Sequence, residues 1–137
     1  MPWSPNVVVV DASILAPAVV DGAAAGRSAR DRLRHEVIAG PDLVYVEVAS
    51  VIRRQVMSGR LTADQAGAAV DDLLDLTLSV FPTAPLLPRA WDLRDNLTTY
   101  DACYVALAEA LGCVLLTGDA RLARAPGAEC PVELFTA

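Results

Sequence analysis

Two short runs of consecutive apolar residues stand out in the hydrophobic pattern of the chain. Val7–Val10 is a row of four β-branched residues, and Cys113–Leu116 is a second uninterrupted apolar run. Strands that are apolar on both faces are typical of parallel sheets, because helices cover both sides of such sheets. We therefore expect both segments to be buried strands of one parallel sheet.

Apolar residues elsewhere recur mainly with helical spacing. From Val44 onward, apolar side chains return at the fourth, seventh and eighth following positions, which is the stripe of an amphipathic helix. Such patterns predict helices over Ala12–Val20, Ser28–Ile38, Val44 to about Gly59, Thr62–Leu76, Leu87–Asn96, Thr99–Leu111 and a short segment ending at Ala125. Short strands are predicted at Leu78–Phe81 and Val132–Phe135. Strands that alternate with helices predict an α/β fold with a parallel sheet and right-handed crossovers.

The composition then excludes several classes of protein. The chain has 137 residues, which predicts a single domain over 1–137, and 54% of them are apolar, too many for a disordered chain. All basic residues are Arg, and the absence of Lys removes P-loop nucleotide sites and protein-kinase chemistry. The net charge of −6 argues against binding nucleic acid by broad phosphate neutralisation.

Cysteine usage and the distribution of charge predict a cytoplasmic protein. Three cysteines without a CxxC pair indicate reduced thiols rather than a disulfide framework or a zinc site. Charged residues interrupt every long apolar run, so no membrane span is expected. The single histidine, His35, lies between charged neighbours in the predicted second helix, where we expect a surface residue without a catalytic role.

Two carboxylates follow the two buried strands directly. Asp11 comes after Val10, and Asp119 comes two residues after Thr117. Ligands of open parallel sheets bind outside the carboxyl ends of the strands, where helix N-termini also point. The alternative for each residue, taken singly, is a helix N-cap, a role for which Asp is well suited.

Two further acids are predicted to enter the interior on helices. Glu47 lies within about 60° of Val44 on the helical wheel, inside the apolar stripe, where an unpaired carboxylate costs several kcal/mol. Its alternative is a buried ion pair with Arg53 or Arg54. Asp101 opens a helix that is apolar all round, and its alternative is a capping box with Thr98.

The combination of these four acids favours a metal site over the separate alternatives. Carboxylates packed together without a counter-charge raise one another's pKa values and destabilise the fold. A divalent cation removes this conflict, and oxygen ligands without His or Cys select Mg²⁺ or Mn²⁺. Carboxylate-held cations that also bind phosphate oxygens are the machinery of phosphodiester hydrolysis.

Four segments resemble the PIN domain, and more closely the VapC-type toxins of bacterial type II toxin–antitoxin pairs. The resemblance spans the chain from Val7 to about Phe135 and is most specific in the third segment and the LLTGD of the fourth. The four segments are VVVVDASIL (7–15), YVEVASVIRR (45–54), LTTYDACYVALAEALG (97–112) and LLTGDARLA (115–123).

This resemblance implies a three-layer α/β/α sandwich with a parallel central sheet. It also implies a Mg²⁺- or Mn²⁺-dependent endoribonuclease that forms a homodimer and is neutralised by a VapB-type antitoxin. Asp11 and Asp101 match direct metal ligands, and Glu47 and Asp119 match partners that bind a second ion or orient water. Ser13 and Thr117 match hydroxyls that support the site. Arg53 and Arg54, on the same predicted helix as Glu47, are expected to help form an RNA groove.

Other functions remain possible at this point to different degrees. A non-cleaving PIN-like module that only binds RNA or an antitoxin is the main alternative. A receiver-like signalling module also has an acidic Mg²⁺ pocket, but it needs a Lys that this chain lacks. A phosphatase with an Asp-x-Asp motif is disfavoured because Ser13 stands where the second Asp belongs.

Overall fold

The computed structural model describes residues 7–20, 22 and 24–136, and within them five strands form one sheet. All neighbouring strands are parallel, and their spatial order is β3-β2-β1-β4-β5. The strands are β1 (Val7–Val10), β2 (Val37–Pro41), β3 (Leu78–Phe81), β4 (Val114–Thr117) and β5 (Val132–Leu134). The two apolar runs of the sequence therefore lie in strands of one parallel sheet, as predicted, and these strands, β1 and β4, pair with each other.

Seven α-helices connect these strands within the described residues. A single 3₁₀ turn at Ala84–Leu86 leads into the fifth of them. The helices are α1 (Ala12–Val20), α2 (Ala24–Leu33), α3 (Val44–Met57), α4 (Ala63–Asp75), α5 (Leu87–Asp92), α6 (Thr99–Leu111) and α7 (Ala120–Arg124).

The helices pack in two groups. The first helix, α1, contacts α2, α3 and α4, whereas α6 contacts α5 and the strands β1, β2 and β4. With right-handed crossovers, the strand order places α1–α4 on one face of the sheet and α5–α7 on the other. This arrangement is the three-layer α/β/α sandwich expected from the sequence.

The core lies between the sheet and these two helical layers. The side chains of Val9, Val10, Leu115 and Leu116 in the central strands are fully buried. Helix α6 is buried from Ala102 to Ala108, which confirms the prediction made from its uniformly apolar sequence. Gly112 ends this helix in the left-handed conformation, with φ of 65°.

The predicted helix over Ser28–Ile38 is wrong in its second half. Helix α2 ends at Leu33, and Val37 and Ile38 open strand β2 beside β1. His35 turns the chain with a positive φ of 69°, so it belongs to the connection and not to a helix. Gly40 and Pro41 usually interrupt regular structure, but β2 pairs with β1 on one side and β3 on the other. Pro41 is compatible with this strand because it stands at the last position.

Other differences concern the ends of elements. The regular part of α5 stops at Asp92, and the chain continues through single turns to Leu97 instead of forming a helix to Asn96. In contrast, the cap predicted for α4 is confirmed, because Thr62 and Gln65 form a complete capping box. Within the described residues, no helix combines the length and apolar character needed to cross a membrane.

The strand order reverses direction between β1 and β4. The chain moves from β1 outward to β2 and β3, then returns to place β4 on the other side of β1. Val10 and Leu116 are register partners at the carboxyl ends of these strands. In an open α/β sheet such a switch point leaves a crevice for a ligand.

Candidate active site

A cleft of about 610 Å³ opens at this switch point. Its walls come from the residues after β1 and β4, from α3 between Val46 and Arg54, and from the first half of α6. All four predicted acids line it, and its lining contains no His or Cys. The lining residues are Asp11, Ala12, Ser13, Val46, Glu47, Ser50, Val51, Arg54, Tyr100, Asp101, Tyr104, Asp119 and Arg121.

Each of the four acids stands at the N-terminus of a helix. Asp11 directly precedes α1, and Asp119 caps α7 by accepting a hydrogen bond from the backbone N–H of Arg121 at 2.9 Å. Glu47 and Asp101 lie in the first turns of α3 and α6. Helix N-termini carry partial positive charge, which stabilises a nearby carboxylate by about 0.3–1 kcal/mol. The fold therefore brings together the acids and the helix ends that tolerate them.

Asp11 is the most enclosed of the four acids, with 6% of its surface exposed. Oδ1 accepts hydrogen bonds from the backbone N–H and the hydroxyl of Ser13, and Oδ2 accepts one from the hydroxyl of Thr117. These two hydroxyls in turn accept hydrogen bonds from the backbone N–H groups of Gly118 and Asp119. Ser13 and Thr117 thus hold Asp11 in place through their hydroxyls.

Glu47 is half-buried and accepts a hydrogen bond from the hydroxyl of Tyr104, 2.6 Å from its Oε1. Within the described residues, neither Arg53 nor Arg54 forms an ion pair with it. The buried Arg–Glu pair considered from the sequence is therefore absent there. In the described part of the chain, the partner of Glu47 is thus a neutral hydroxyl and not a cation.

Asp101 contributes to the cap of α6 through its backbone. Its N–H donates to Oγ1 of Thr98 at 3.2 Å, which forms the first half of the capping box considered from the sequence. The carboxylate itself lines the cleft. The cap and the cleft thus use different atoms of the same residue.

Burial and mutual repulsion raise the pKa values of three of these acids. Burial is the main cause for Asp11, Glu47 and Asp101, and the charge of a neighbouring acid adds to each. Asp101 acts on the pKa values of both Asp11 and Glu47, and Asp119 acts on that of Asp101. Carboxylates that influence one another in this way gain from a cation placed among them.

The donor set of the cleft fits a hard divalent cation. It offers carboxylate and hydroxyl oxygens alone, which are the ligands that Mg²⁺ and Mn²⁺ prefer. Within the described part of the chain, no three acidic, His or Cys side chains are close enough to form a preassembled metal cluster. The acids therefore surround a shared space rather than a closed ligand cage.

The two Arg residues that the sequence placed near an RNA groove lie on different sides of α3. Arg54 lines the acidic cleft, whereas Arg53 lines an apolar groove between α3 and α4. A second Arg that lines the cleft, Arg121, was missed by the sequence analysis. It is highly exposed and lies 3.6 Å from Oδ2 of Asp119.

Tyr104 was also missed, because it was counted among the apolar residues of α6. It is one of the largest fully buried side chains. A buried tyrosine hydroxyl normally has a hydrogen-bond partner. A tyrosine within the buried segment Ala102–Ala108, whose other residues are all apolar, was thus a signal that some polar group lies opposite, although the sequence does not identify Glu47 as that group.

Comparison with known proteins agrees with this geometry. The PIN domain family matches residues 8–128. Ribonuclease VapC1 of Mycobacterium tuberculosis is 42% identical over 127 residues, which cover 92% of this chain and 96% of the relative. Ribonuclease VapC9 of the same species is 42% identical over 128 residues, which cover 93% and 97%.

Solved structures show the same fold. VapC20 of M. tuberculosis, described as a toxin that cleaves the sarcin–ricin loop, superposes with a TM-score of 0.66 at 21% identity, over 84% of this chain and 92% of that one. VapBC2 of Rickettsia felis, bound to a fragment of its promoter DNA, gives 0.67 at 17% identity, over 93% and 98%. The family match, the close relatives and the acidic switch point together show that this chain belongs to the PIN domain family, among its VapC ribonucleases.

Proposed function

We propose that this chain is a metal-dependent endoribonuclease toxin of a VapBC-type pair, which hydrolyses RNA phosphodiester bonds at the acidic cleft. The observation that carries the proposal is the meeting of four carboxylates at the switch point of the sheet with neutral hydrogen-bond partners for Asp11 and Glu47. Such an arrangement destabilises a protein that does not use it. Relatives named as VapC ribonucleases, at 42% identity, support the same activity.

Asp11 and Asp101 are proposed to hold the cation directly, and Glu47 and Asp119 to bind a second ion or orient water. Mg²⁺ or Mn²⁺ would supply the positive charge that binds phosphate oxygens and lowers the pKa of water. Ser13 and Thr117 keep the Asp11 carboxylate fixed through their hydroxyls. The carboxylates serve as oxygen ligands in their ionised form, so their raised pKa values favour binding at neutral rather than acidic pH.

Arg54 and Arg121 are proposed to bind RNA phosphates beside the cleft. They line the same opening as the acids and are both exposed. RNA needs positive surface next to an acidic site, because the cleft itself repels phosphate until a cation is bound. Arg53 lies on the far side of α3, so its part in RNA binding is proposed to be smaller.

The apolar groove between α3 and α4 is proposed as the site of a VapB-type antitoxin helix. It has a volume of about 370 Å³ and lies against the opposite face of the helix that carries Glu47. Its apolar lining includes Ala49, Ile52, Val56, Met57, Ala66 and Val70. An antitoxin segment with an apolar face and a basic residue would suit both the groove and the acidic cleft. A homodimer and a cytoplasmic location, where three free thiols stay reduced, complete the proposal.

The central experiment is RNA cleavage by the purified chain freed of any partner. Cleavage of structured RNA is expected with Mg²⁺ or Mn²⁺ and is expected to stop when a chelator is added. Asp11→Asn is expected to abolish cleavage while the protein remains folded by circular dichroism. Cleavage that continues in excess chelator would contradict the proposed metal dependence.

The alternative is a PIN-like module that binds RNA or an antitoxin without cleaving. That alternative predicts Mn²⁺ and RNA binding without any cleaved product across a panel of structured RNAs. The intact set of four acids favours an active enzyme over this alternative.

A further inference from the structure

The contact between Tyr104 and Glu47 joins two helices that each carry a cleft acid. Tyr104 is on α6, three residues after Asp101 and therefore near it on the helix surface. Its hydroxyl donates to Oε1 of Glu47 on α3 at 2.6 Å. The phenol thus reaches from the helix that carries one acid to the side chain of the other.

The two helices make few direct contacts with each other. Helix α3 packs mainly against α1 and α4, whereas α6 packs against α5 and the sheet. Within the described residues, the Tyr104–Glu47 contact is the sole side-chain hydrogen bond between α3 and α6. Within that part of the chain, this hydroxyl is therefore the one hydrogen-bond donor that links the Glu47 side chain to the helix of Asp101.

The hydroxyl is not required for packing. The tyrosine side chain is 1% exposed and lies within the buried segment Ala102–Ala108, whose other residues are all apolar, so a phenylalanine ring would fill the same space. A buried hydroxyl lowers the stability of a fold unless it forms a hydrogen bond. The bond to Glu47 provides an acceptor for this hydroxyl and connects it to a carboxylate that lines the cleft.

We propose that Tyr104 is a positioning residue, whose hydroxyl holds the Glu47 carboxylate in place for a divalent cation in the cleft. This inference rests on the proposed metal-dependent function. With Oε1 engaged by Tyr104, the orientation of the carboxylate is set before any cation arrives, and Oε2 has no hydrogen-bond donor within the described residues. A side chain fixed in advance binds its ligand without the entropic cost of becoming ordered.

The test compares Tyr104→Phe with Tyr45→Phe by calorimetric titration of Mn²⁺ into the metal-free protein. Tyr45 lies on α3, two residues from Glu47, and its hydroxyl forms no hydrogen bond within the described residues, so it controls for loss of a phenol oxygen. Tyr104→Phe is expected to weaken Mn²⁺ binding about tenfold, in the range found when a second partner of a metal ligand is removed. Tyr45→Phe is expected to bind Mn²⁺ as the wild type does.

A double substitution separates positioning from a general effect on structure. In a Glu47→Gln background, adding Tyr104→Phe is expected to leave Mn²⁺ affinity unchanged, because the carboxylate that the hydroxyl positions is gone. RNA cleavage by Tyr104→Phe is expected to recover when Mn²⁺ is raised about tenfold, in proportion to the weakened affinity.

Three results would overturn the inference. Wild-type Mn²⁺ affinity in Tyr104→Phe, even with a lower melting temperature, would assign the hydroxyl a structural role alone. An equal loss in Tyr45→Phe would show that the effect is not specific to Tyr104. Absence of Mn²⁺ binding by the wild type would overturn the proposed metal site itself, which distinguishes failure of the proposed function from failure of this inference.

Discussion

Asp11 and Glu109 are both largely buried acids, but they lie in opposite electrostatic environments. Glu109 accepts a hydrogen bond at 2.7 Å from Nε of Arg89 and another from the backbone N–H of Glu129, and together these lower its pKa. Within the described residues, Asp11 accepts hydrogen bonds from hydroxyl and amide donors and forms no ion pair with an Arg, and burial raises its pKa. Glu109 is thus paired with an Arg where it serves the fold, whereas Asp11 has neutral partners in the cleft.

The same contrast extends to the sheet edge. Arg32 on α2 contacts Glu36 and the carboxylate of Glu133 on β5, and the pKa of Glu133 is lowered as a result. Eleven Arg residues are available in the chain, yet within the described residues none of them forms an ion pair with Asp11 or Glu47. These two carboxylates keep neutral partners and remain open to a cation from solution.

The largest expected effect is on cleavage. Asp101→Asn is expected to reduce RNA cleavage strongly, because Asp101 is proposed to bind the cation directly. The reduction is expected to exceed the roughly 10- to 100-fold loss that follows removal of a residue hydrogen-bonded to a metal ligand. Glu109→Gln changes the charge equally but is expected to leave cleavage at the wild-type level, because Glu109 lies outside the cleft. Initial rates with Mn²⁺ on one RNA give both values. Comparable losses of cleavage in the two variants would contradict a specific role of the cleft acids in cleavage.

A smaller effect of opposite sign is expected on stability in the presence of chelator. Asp101→Asn is expected to raise the melting temperature, because it removes a charge that Asp119 and burial disfavour, while Thr98 still caps the backbone. Glu109→Gln is expected to lower the free energy of unfolding by about 1 kcal/mol, the usual contribution of such hydrogen bonds. A marked loss of stability in Asp101→Asn would instead favour a structural role for that carboxylate.

Acidification is expected to reduce the difference in stability between the wild type and each of these two variants, in a different pH window for each. The pKa of Asp101 is raised in the folded state, so at neutral pH the charged carboxylate makes the wild type less stable than Asp101→Asn. This difference in stability disappears as pH falls through the raised pKa toward the ordinary value of 3.8. The pKa of Glu109 is lowered, so the advantage of the wild type over Glu109→Gln disappears as pH falls below the ordinary 4.5. Melting curves of the three proteins across this range, all with chelator, separate the two windows.

The smallest expected effect concerns RNA affinity. Arg54→Ala is expected to weaken RNA binding modestly and to reduce the dependence of log affinity on log salt by about 0.7, the value for one phosphate contact on a single strand. Arg53→Ala, the neighbouring residue on the other side of α3, is expected to change the slope less. Fluorescence anisotropy in the cleavage-deficient Asp101→Asn background measures both. Equal slopes for the two variants would contradict the placement of the RNA beside the cleft.

The sequence was sufficient for the elements whose pattern is dictated by burial. Four β-branched residues at β1 and an all-apolar α6 leave little choice of structure, and both were predicted with their bounds. Strand β2 was not, because VIAGP is short and ends in residues that usually break structure. Its pairing with β1 and β3 on both sides decides its conformation, and such pairing is not visible in a local pattern.

The candidate site shows the same division. Convergence of the four acids was predicted from their positions after strands and at helix starts, and the cleft contains all four. Their catalytic and metal-binding roles stay predictions. Tyr104 and Arg121 were not found, because the partner of a side chain and the direction of an exposed Arg depend on how α3, α6 and α7 pack. The hydrogen-bond partner of Glu47 likewise could not be identified from helical spacing alone.

The position of β4 beside β1 has a consequence for the moment at which the acidic cleft forms during protein synthesis. Asp11 and its partner Thr117 are separated by 106 positions, so the central strand pair closes only after the β4 segment has left the ribosome. Until then the β1 edge on that side has no neighbour, and Asp11 lacks the hydroxyl that fixes Oδ2. A nascent chain therefore carries three of its four cleft acids before the strands that bring them together have paired.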